Sequence, residues 1–244
     1  MNDAVYQARL ALFNSLELPM SKAELKRLQR RQRRKLLIWE ISLGSLFFIK
    51  RSIDVLASLA GILALSPVFL ILSLIIVIED KGPVFYASNR VGQYGRVFRF
   101  YKFRSMVQNA DKLKDKLLEQ NESGDGVIFK MKEDPRITKI GRFIRRYSLD
   151  ELPQLFNVLM GDMSLVGPRP PVPREVAEYT LQDRKRLHVK PGITCIWQVS
   201  GRSDIPFNEQ VELDVQYIQT QGLWNDILLL LKTIPAVLLG KGAY

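Results

Sequence analysis

The stretch Val55–Ile78, "VLASLAGILALSPVFLILSLIIVI", decides how the rest of the chain is arranged, because its 24 residues carry no charge. A helix over it reaches about 36 Å at 1.5 Å per residue, enough to cross a hydrocarbon core of about 30 Å. Pro67, following Ser66, stands in its middle. Proline there removes a backbone hydrogen bond and clashes with the preceding turn, at about 3 kcal/mol unless the helix bends. Each half alone, at about 18 Å, is too short to span. Both flanks are basic, with Lys50 and Arg51 before and Lys81, Arg90, Arg96, Arg99, Lys102 and Arg104 after. Such flanks tend to stay cytoplasmic. Two readings are open: a helix that enters, breaks at Ser66-Pro67 and leaves by the same face, and a kinked spanning helix.

The remainder is that of a folded, basic protein. The 244 residues are 47% apolar, so a buried core is expected. The single cysteine, Cys195, forms no internal disulfide, and the single histidine, His188, leaves little room for a His-based triad or metal site. Chemistry therefore rests on carboxylates, Lys and Arg. The net charge is +11, and residues 1–60 hold eleven Lys/Arg against five Asp/Glu. That surface seeks anionic lipid, nucleic acid or a phosphorylated substrate. No signal peptide opens the chain. From Ser21, in S-x-x-E spacing with Glu24, a basic helix is expected, with Leu25, Leu28, Leu36 and Leu37 as its apolar stripe. It suits an anionic membrane surface, and equally a solvated face or an RNA contact.

Beyond Asp80 the composition turns to that of a soluble domain. Two short strands are predicted, Val84–Tyr86 and Val97–Phe103, joined by a turn through Gly92 and Gly95. Lys102 and Arg104, two residues apart, share one face. A polar helix over Val107–Gln120 and a loop "NESGDG" follow. In "RRYSLDELPQLFNV", Arg145–Val158, Ser148 and Glu151 have capping-box spacing, and Leu152, Leu155, Phe156 and Leu159 recur at helical spacing. This predicts a capped helix whose N-terminus lowers the pKa of Asp150 and attracts phosphate. Arg136, Lys139, Arg142, Arg145, Arg146 and Arg169 are expected around the acid pair, with Arg169 stiffened between Pro168 and Pro170. Ordinary ion pairing is the other reading of so many mixed charges.

Five ordered blocks, "KRSIDVLASLAGILALSPVF", "YKFRSM", "DPRITKIGRFIRRYSLDELPQL", "GDMSLVGPRP" and "PGITCIWQVSGR", resemble the bacterial sugar transferases, the monotopic phosphoglycosyl transferases or polyprenyl-phosphate hexose-1-phosphate transferases. The resemblance runs from about Ile49 to the C-terminus. It implies an α/β (mixed α+β) catalytic domain with a re-entrant membrane helix broken at Ser66-Pro67 and interfacial amphipathic helices. It also implies that Asp150 attacks the sugar-bearing phosphate of a UDP-sugar, releases UMP and forms a sugar-phosphoryl aspartate. A polyprenyl (undecaprenyl) phosphate then accepts the sugar phosphate. Mg2+ is implied on Glu151 and Asp150, and Lys102, Arg104, Arg145 and Arg169 match basic positions that would hold phosphates. Gln198, Arg202, Asp214 and Tyr217 match softer blocks and are expected near nucleotide or sugar, although Asp214 and Tyr217 equally suit an ordinary helix face. Cys195 stands where members usually have glycine, and "QTQGLW" replaces the usual Asn-Trp-Ser. Many long members carry a transmembrane bundle ahead of the catalytic unit; here functions tied to it are expected to be absent.

The expected organisation is a basic membrane-surface segment over 1–50, a membrane hairpin over 51–81 and the transferase domain over 82–244. It is placed at the cytoplasmic face of the bacterial inner membrane, on anionic lipids, initiating a surface glycan, with monomer and homodimer both open. The membrane segment argues against nucleic acid as a partner. The rival reading is a non-catalytic basic scaffold for glycan assembly. "DILLLLKTIPAVLL", Asp226–Leu239, is too short to span and either rests at the interface or packs as core.

Overall fold

The computed structural model describes residues 7, 11, 22–110, 112–113, 131 and 133–240. Of the expected polar helix over 107–120, residues 107–109 are coil and turn rather than helix, 110 and 112–113 are helical, and 111, 114–120, the 121–126 loop and Ser21 lie outside the described residues. Two compact units divide the chain, Met1–Ile49 and Lys50–Tyr244. The fold mixes helix and sheet. In the first unit, the described basic residues of the N-terminal helix, among them Lys26, Arg27, Arg30, Arg31 and Arg34, are exposed.

The dominant element is helix α1, Lys22–Glu79, with Pro67 inside it. Its 33-residue stretch Phe47–Glu79 is long and apolar enough to cross a membrane. Leu56, Leu63, Leu70 and Ile78 expose most of their surface, far more apolar surface than water tolerates on a soluble protein. Helical backbone continues through Ser66-Pro67. Pro67 has no N–H for the carbonyl of Leu63, and the Ser66 hydroxyl donates to that carbonyl at 2.8 Å instead. The serine thus fills the bond its neighbour deletes.

Both ends of this apolar stretch are tied to the same domain. Arg51 donates to the carbonyls of Val158 and Leu159, at 2.6 and 2.9 Å, the last-turn acceptors of helix α3 (Gln154–Met160). Lys50 pairs with Asp226, and the buried Asp54 accepts from the Leu165 amide at 3.1 Å. At the far end the Glu79 carboxylate accepts from Ile140 N at 3.1 Å, in the first turn of helix α2 (Lys139–Arg146). Arg104 donates to the carbonyl of Asp80. Between these ties, Leu72 and Ile76 pack with Phe103 and Ile144 in one core cluster.

Strands β1 (Phe85–Val91) and β2 (Val97–Phe103) form an antiparallel hairpin. The second strand has the predicted bounds, and the first runs past Tyr86 to Val91. Phe98 and Phe100 face a core of Val158 and Met163. Lys102 has the same parity on the strand, so the pleat carries a cation inward. Asn157 closes the strand's other edge: its side chain accepts from Tyr101 N at 3.1 Å and donates to Arg99 O at 2.6 Å.

Strands β3 (Ser164–Val166) and β4 (Gly192–Thr194) pair in parallel. The ladder extends through Gly167 N to Thr194 O and Gly192 N to Pro168 O, which fixes the backbone that carries Arg169. A Cβ at Gly192 would meet Gly167 N at 2.0 Å, so only glycine permits this approach. Helices α4 (Pro173–Ala177), α5 (Ile196–Ser200), α6 (Phe207–Thr220) and α7 (Leu223–Leu239) complete the domain. Helix α7 buries Leu229 but exposes Trp224, Leu231 and Leu238.

Replacing Asn157 by Ala strands one strand amide and one strand carbonyl. The expected cost is about 2–4 kcal/mol, read as a lower melting temperature in detergent; an unchanged melt would show that this pin carries no weight.

Candidate active site

The chain leaves α2 through Ser148, held in the left-handed region at φ 52. It then makes a short 3-10 turn, Leu149–Glu151, before α3 begins after Pro153. The predicted capping box does not form, because the Ser148 side chain makes no cap hydrogen bond. A serine in this conformation turns the backbone rather than extending into a helix, and Glu151 finds a stronger, charged partner elsewhere. Leu149 and Leu152 pack on the cluster shared with α1, so the turn is held from both sides.

That partner is Lys102. Its ammonium lies 3.1 Å from Asp150 Oδ2 and 2.7 Å from Glu151 Oε1. Asp150 is buried and Glu151 half-buried. Burial pushes the Asp150 carboxyl above its ordinary value, opposed by Lys102 and reinforced by the Glu151 charge. The sequence expectation was the reverse, a lowered value at a helix N-terminus. Asp150 sits in a 3-10 turn ahead of α3, where desolvation outweighs any dipole. Burial also acts to raise Glu151, but Lys102, with help from Arg169 and Gln154, outweighs it and holds Glu151 below its ordinary value. Two neighbouring acids are thus driven apart in proton affinity.

Two cavities, of about 500 and 480 Å³, open on this pair. Lys102, Arg145, Asp150, Arg169 and Trp197 line both. The first continues over Tyr86, Arg90, Arg104 and Arg136. The second contains Glu151 and continues over Arg202 and Gln198 to apolar residues of α1 and α7, including Gly61, Leu65 and Val237. Buried guanidinium nitrogens of Arg90, Arg104, Arg145 and Arg202 have no hydrogen-bond partner among the described residues. Donors in that state suit an anion.

Of the basic cluster expected around the acids, Arg145 and Arg169 arrive. Arg136 is spent on a buried pair with Asp134, and Lys139, Arg142 and Arg146 are exposed and line neither cavity. Arg104 reaches the first cavity but is also committed to Asp80. A Cβ at Gly82 would collide with its guanidinium at 1.9 Å. Asp214 and Tyr217 line neither cavity. Asp214 is buried against Arg186 at 2.6 Å, with its carboxyl pushed by burial up to about 6; Tyr217 donates to Val166 O and to Asp226. These are scaffold contacts. Cys195 has φ −148, an extended backbone that needs no glycine.

Sequence reasoning missed Arg90 as a site residue and counted it only as a basic flank. It donates to Pro170 O at 3.1 Å and stacks over Phe100 at 5.1 Å. Burial and then the nearby Arg169 lower its pKa to about 10. Its place at the turn end of β1 lay beyond the predicted strand, which stopped at Tyr86.

The description "Bacterial sugar transferase" belongs to the family whose profile matches residues 45–240. The chain belongs to the bacterial sugar transferase family. It is 50% identical over 197 residues to the galactosyl transferase CpsE of Streptococcus agalactiae, covering 80% of this chain and 43% of that protein. An undecaprenyl-phosphate galactose phosphotransferase of Salmonella typhimurium is 47% identical over 200 residues, 81% of this chain and 42% of its own length. The exopolysaccharide production protein ExoY of Sinorhizobium fredii is 40% identical over 198 residues, 80% of this chain and 88% of its own. The chain therefore spans less than half the length of the first two. In this sugar transferase the matched region covers both cavities and the apolar stretch of α1.

A raised carboxyl binds its proton more tightly in the folded state, so stability falls as pH rises from the ordinary carboxylate value through the raised one. Above the ordinary carboxylate range the Asp150 carboxyl therefore weakens the fold. Asp150→Asn should melt higher than the parent at pH 7, by about 2–4 °C for each kcal/mol relieved. A lower melting temperature would contradict the direction of the shift.

Proposed function

We propose that this protein transfers a hexose-1-phosphate from a UDP-sugar to a polyprenyl phosphate by double displacement at Asp150. The observation that carries this reading is that one buried carboxylate lines both cavities, so two substrates can meet it in turn. The names of the relatives, with galactose and undecaprenyl phosphate among them, support the substrate classes.

In the first displacement an Asp150 oxygen forms a bond to the phosphorus that carries the sugar, and the bond to UMP breaks. In the second, an oxygen of the lipid phosphate attacks that phosphorus and the carboxylate leaves. The ionised form of Asp150 is the nucleophile, and Lys102 opposes the rise that burial imposes on its carboxyl. Arg145 and Arg169 face the developing charge from both cavities. Lys102 touches both carboxylates at once, so their oxygens converge on one cation. That donor set fits Mg2+, which is commonly held by one or two carboxylates plus substrate phosphates. Glu151 with Asp150 would hold it, and it would supply neutralisation of the diphosphate charge.

The same account places α1 as a re-entrant helix, bent at Ser66-Pro67, at the cytoplasmic face of the inner membrane. Support comes from the polar ties at 50–54 and at 79–80, which all fasten to one domain, whereas a spanning helix would part its ends across the bilayer. The exposed basic helix of the first unit would rest on anionic lipid. The product would be a lipid-linked diphosphate sugar that opens a surface glycan.

Incubation with a panel of UDP-hexoses, Mg2+ and polyprenyl phosphate should release UMP, and Asp150→Asn should lower the rate by about a thousandfold or more. Absence of UMP with every donor would favour a non-catalytic scaffold. For topology, cysteines introduced at Ser45 and Phe85 should both label from the cytoplasmic side, since the native Cys195 is buried; labelling from opposite sides would refute the hairpin.

A further inference from the structure

The two cavities share the reacting carboxylate but not their outer walls, and the difference is chemical. Beyond the shared residues the first adds three arginines, Arg90, Arg104 and Arg136, and Tyr86 to apolar side chains such as Phe85, Met106 and Val172. Arg90 Nε is buried there without a hydrogen-bond partner. Its Nη1 holds Pro170 O, next to Arg169, so the guanidinium is rigid before any ligand arrives. The second adds a single arginine, Arg202, and its apolar wall takes Gly61 and Leu65 from α1 and Ala236 and Val237 from α7, the two helices that expose long rows of leucine and isoleucine. Its polar end holds Arg202, whose backbone lies in the left-handed region at φ 55. Arg202 Nη1 is also buried and unpartnered. An unsatisfied guanidinium facing an apolar trough fits an amphiphile with an anionic head. A nucleoside diphosphate, charged at one end and polar at the other, fits the first cavity and would leave the trough empty.

We propose that the cavities divide the substrates: the nucleotide sugar binds in the Arg90 cavity, and the isoprenoid phosphate binds in the Arg202 cavity with its chain along Gly61 and Leu65. This inference rests on the double displacement proposed above. It moves Arg202 from the nucleotide to the lipid acceptor, and it gives Arg90 a phosphate of the donor. Asp150, in both walls, carries the sugar phosphate from one side to the other without the two anions ever sharing a cavity. Like-charged substrates are thereby kept apart, which lowers the repulsion each would otherwise meet.

The test separates the two displacements. Adduct formation is read by the burst of UMP when full-length protein in detergent is mixed with UDP-galactose or UDP-glucose, whichever turns over, and Mg2+ without lipid. Transfer is read by loss of the sugar phosphate from preformed adduct after addition of undecaprenyl phosphate. Arg202→Gln should slow transfer about ten- to hundredfold more than it slows adduct formation, and Arg90→Gln should do the reverse. Leu65→Trp, which fills the apolar trough without touching a charge, should follow Arg202→Gln. Equal slowing of both steps by Arg90→Gln and Arg202→Gln, or a transfer step untouched by both Arg202→Gln and Leu65→Trp, would overturn the division. Parent protein that turns over without any adduct would instead overturn the double displacement itself.

Discussion

The arrangement depends on one ammonium group placed between two carboxylates. Asp150 and Glu151 are neighbours in sequence, both drawn out of bulk water, and unpaired they would repel each other and take up protons. Lys102 contacts both. It reaches them because β2 presents Phe98, Phe100 and then Lys102 to the interior on alternate residues, so the strand that builds the core also delivers the charge. Asn157 fastens that strand to α3, and α3 begins three residues after Glu151. The cation and its acids are thus two ends of one short mechanical loop. A buried pair of this kind is weak support for stability; its value lies in opposing the rise that burial imposes on both carboxyls.

The second constraint is where the apolar helix ends. Arg51, Asp54 and Glu79 each meet backbone groups of the catalytic domain, at helix termini or a strand, where unpaired carbonyls and amides are available. These contacts hold α1 along the domain rather than away from it. As a result, its Gly61 and Leu65 come to line a cavity that also contains the acid pair. The double displacement proposed above needs this kind of wall for its lipid acceptor.

Much of this was legible in the sequence because its signals are local and strong. An uncharged run of 24 residues, a serine before a proline and an Asp-Glu pair among arginines do not depend on distant partners. What failed did so where tertiary contacts outbid local pattern. Ser148 and Glu151 have the spacing of a capping box, but Lys102 lies 46 residues away from the serine in sequence and takes the glutamate. The acid's raised pKa depends on burial, which spacing does not reveal. Of the two readings open for Asp214 and Tyr217, the contacts with Arg186, Val166 and Asp226 suit the helix-face one. Arg90 stayed hidden because its partner is a carbonyl of Pro170, and no local pattern pairs residues 80 apart.

The central claim is that Asp150 itself carries the sugar phosphate. Intact-mass spectrometry after mixing the protein with donor and Mg2+, but no lipid, tests it most directly, followed by mapping of the modified peptide. One added hexose phosphate on the peptide that holds Asp150, discharged when polyprenyl phosphate is added, is the predicted result. A protein that makes lipid product while staying unmodified, or that carries the group on another residue, would contradict it.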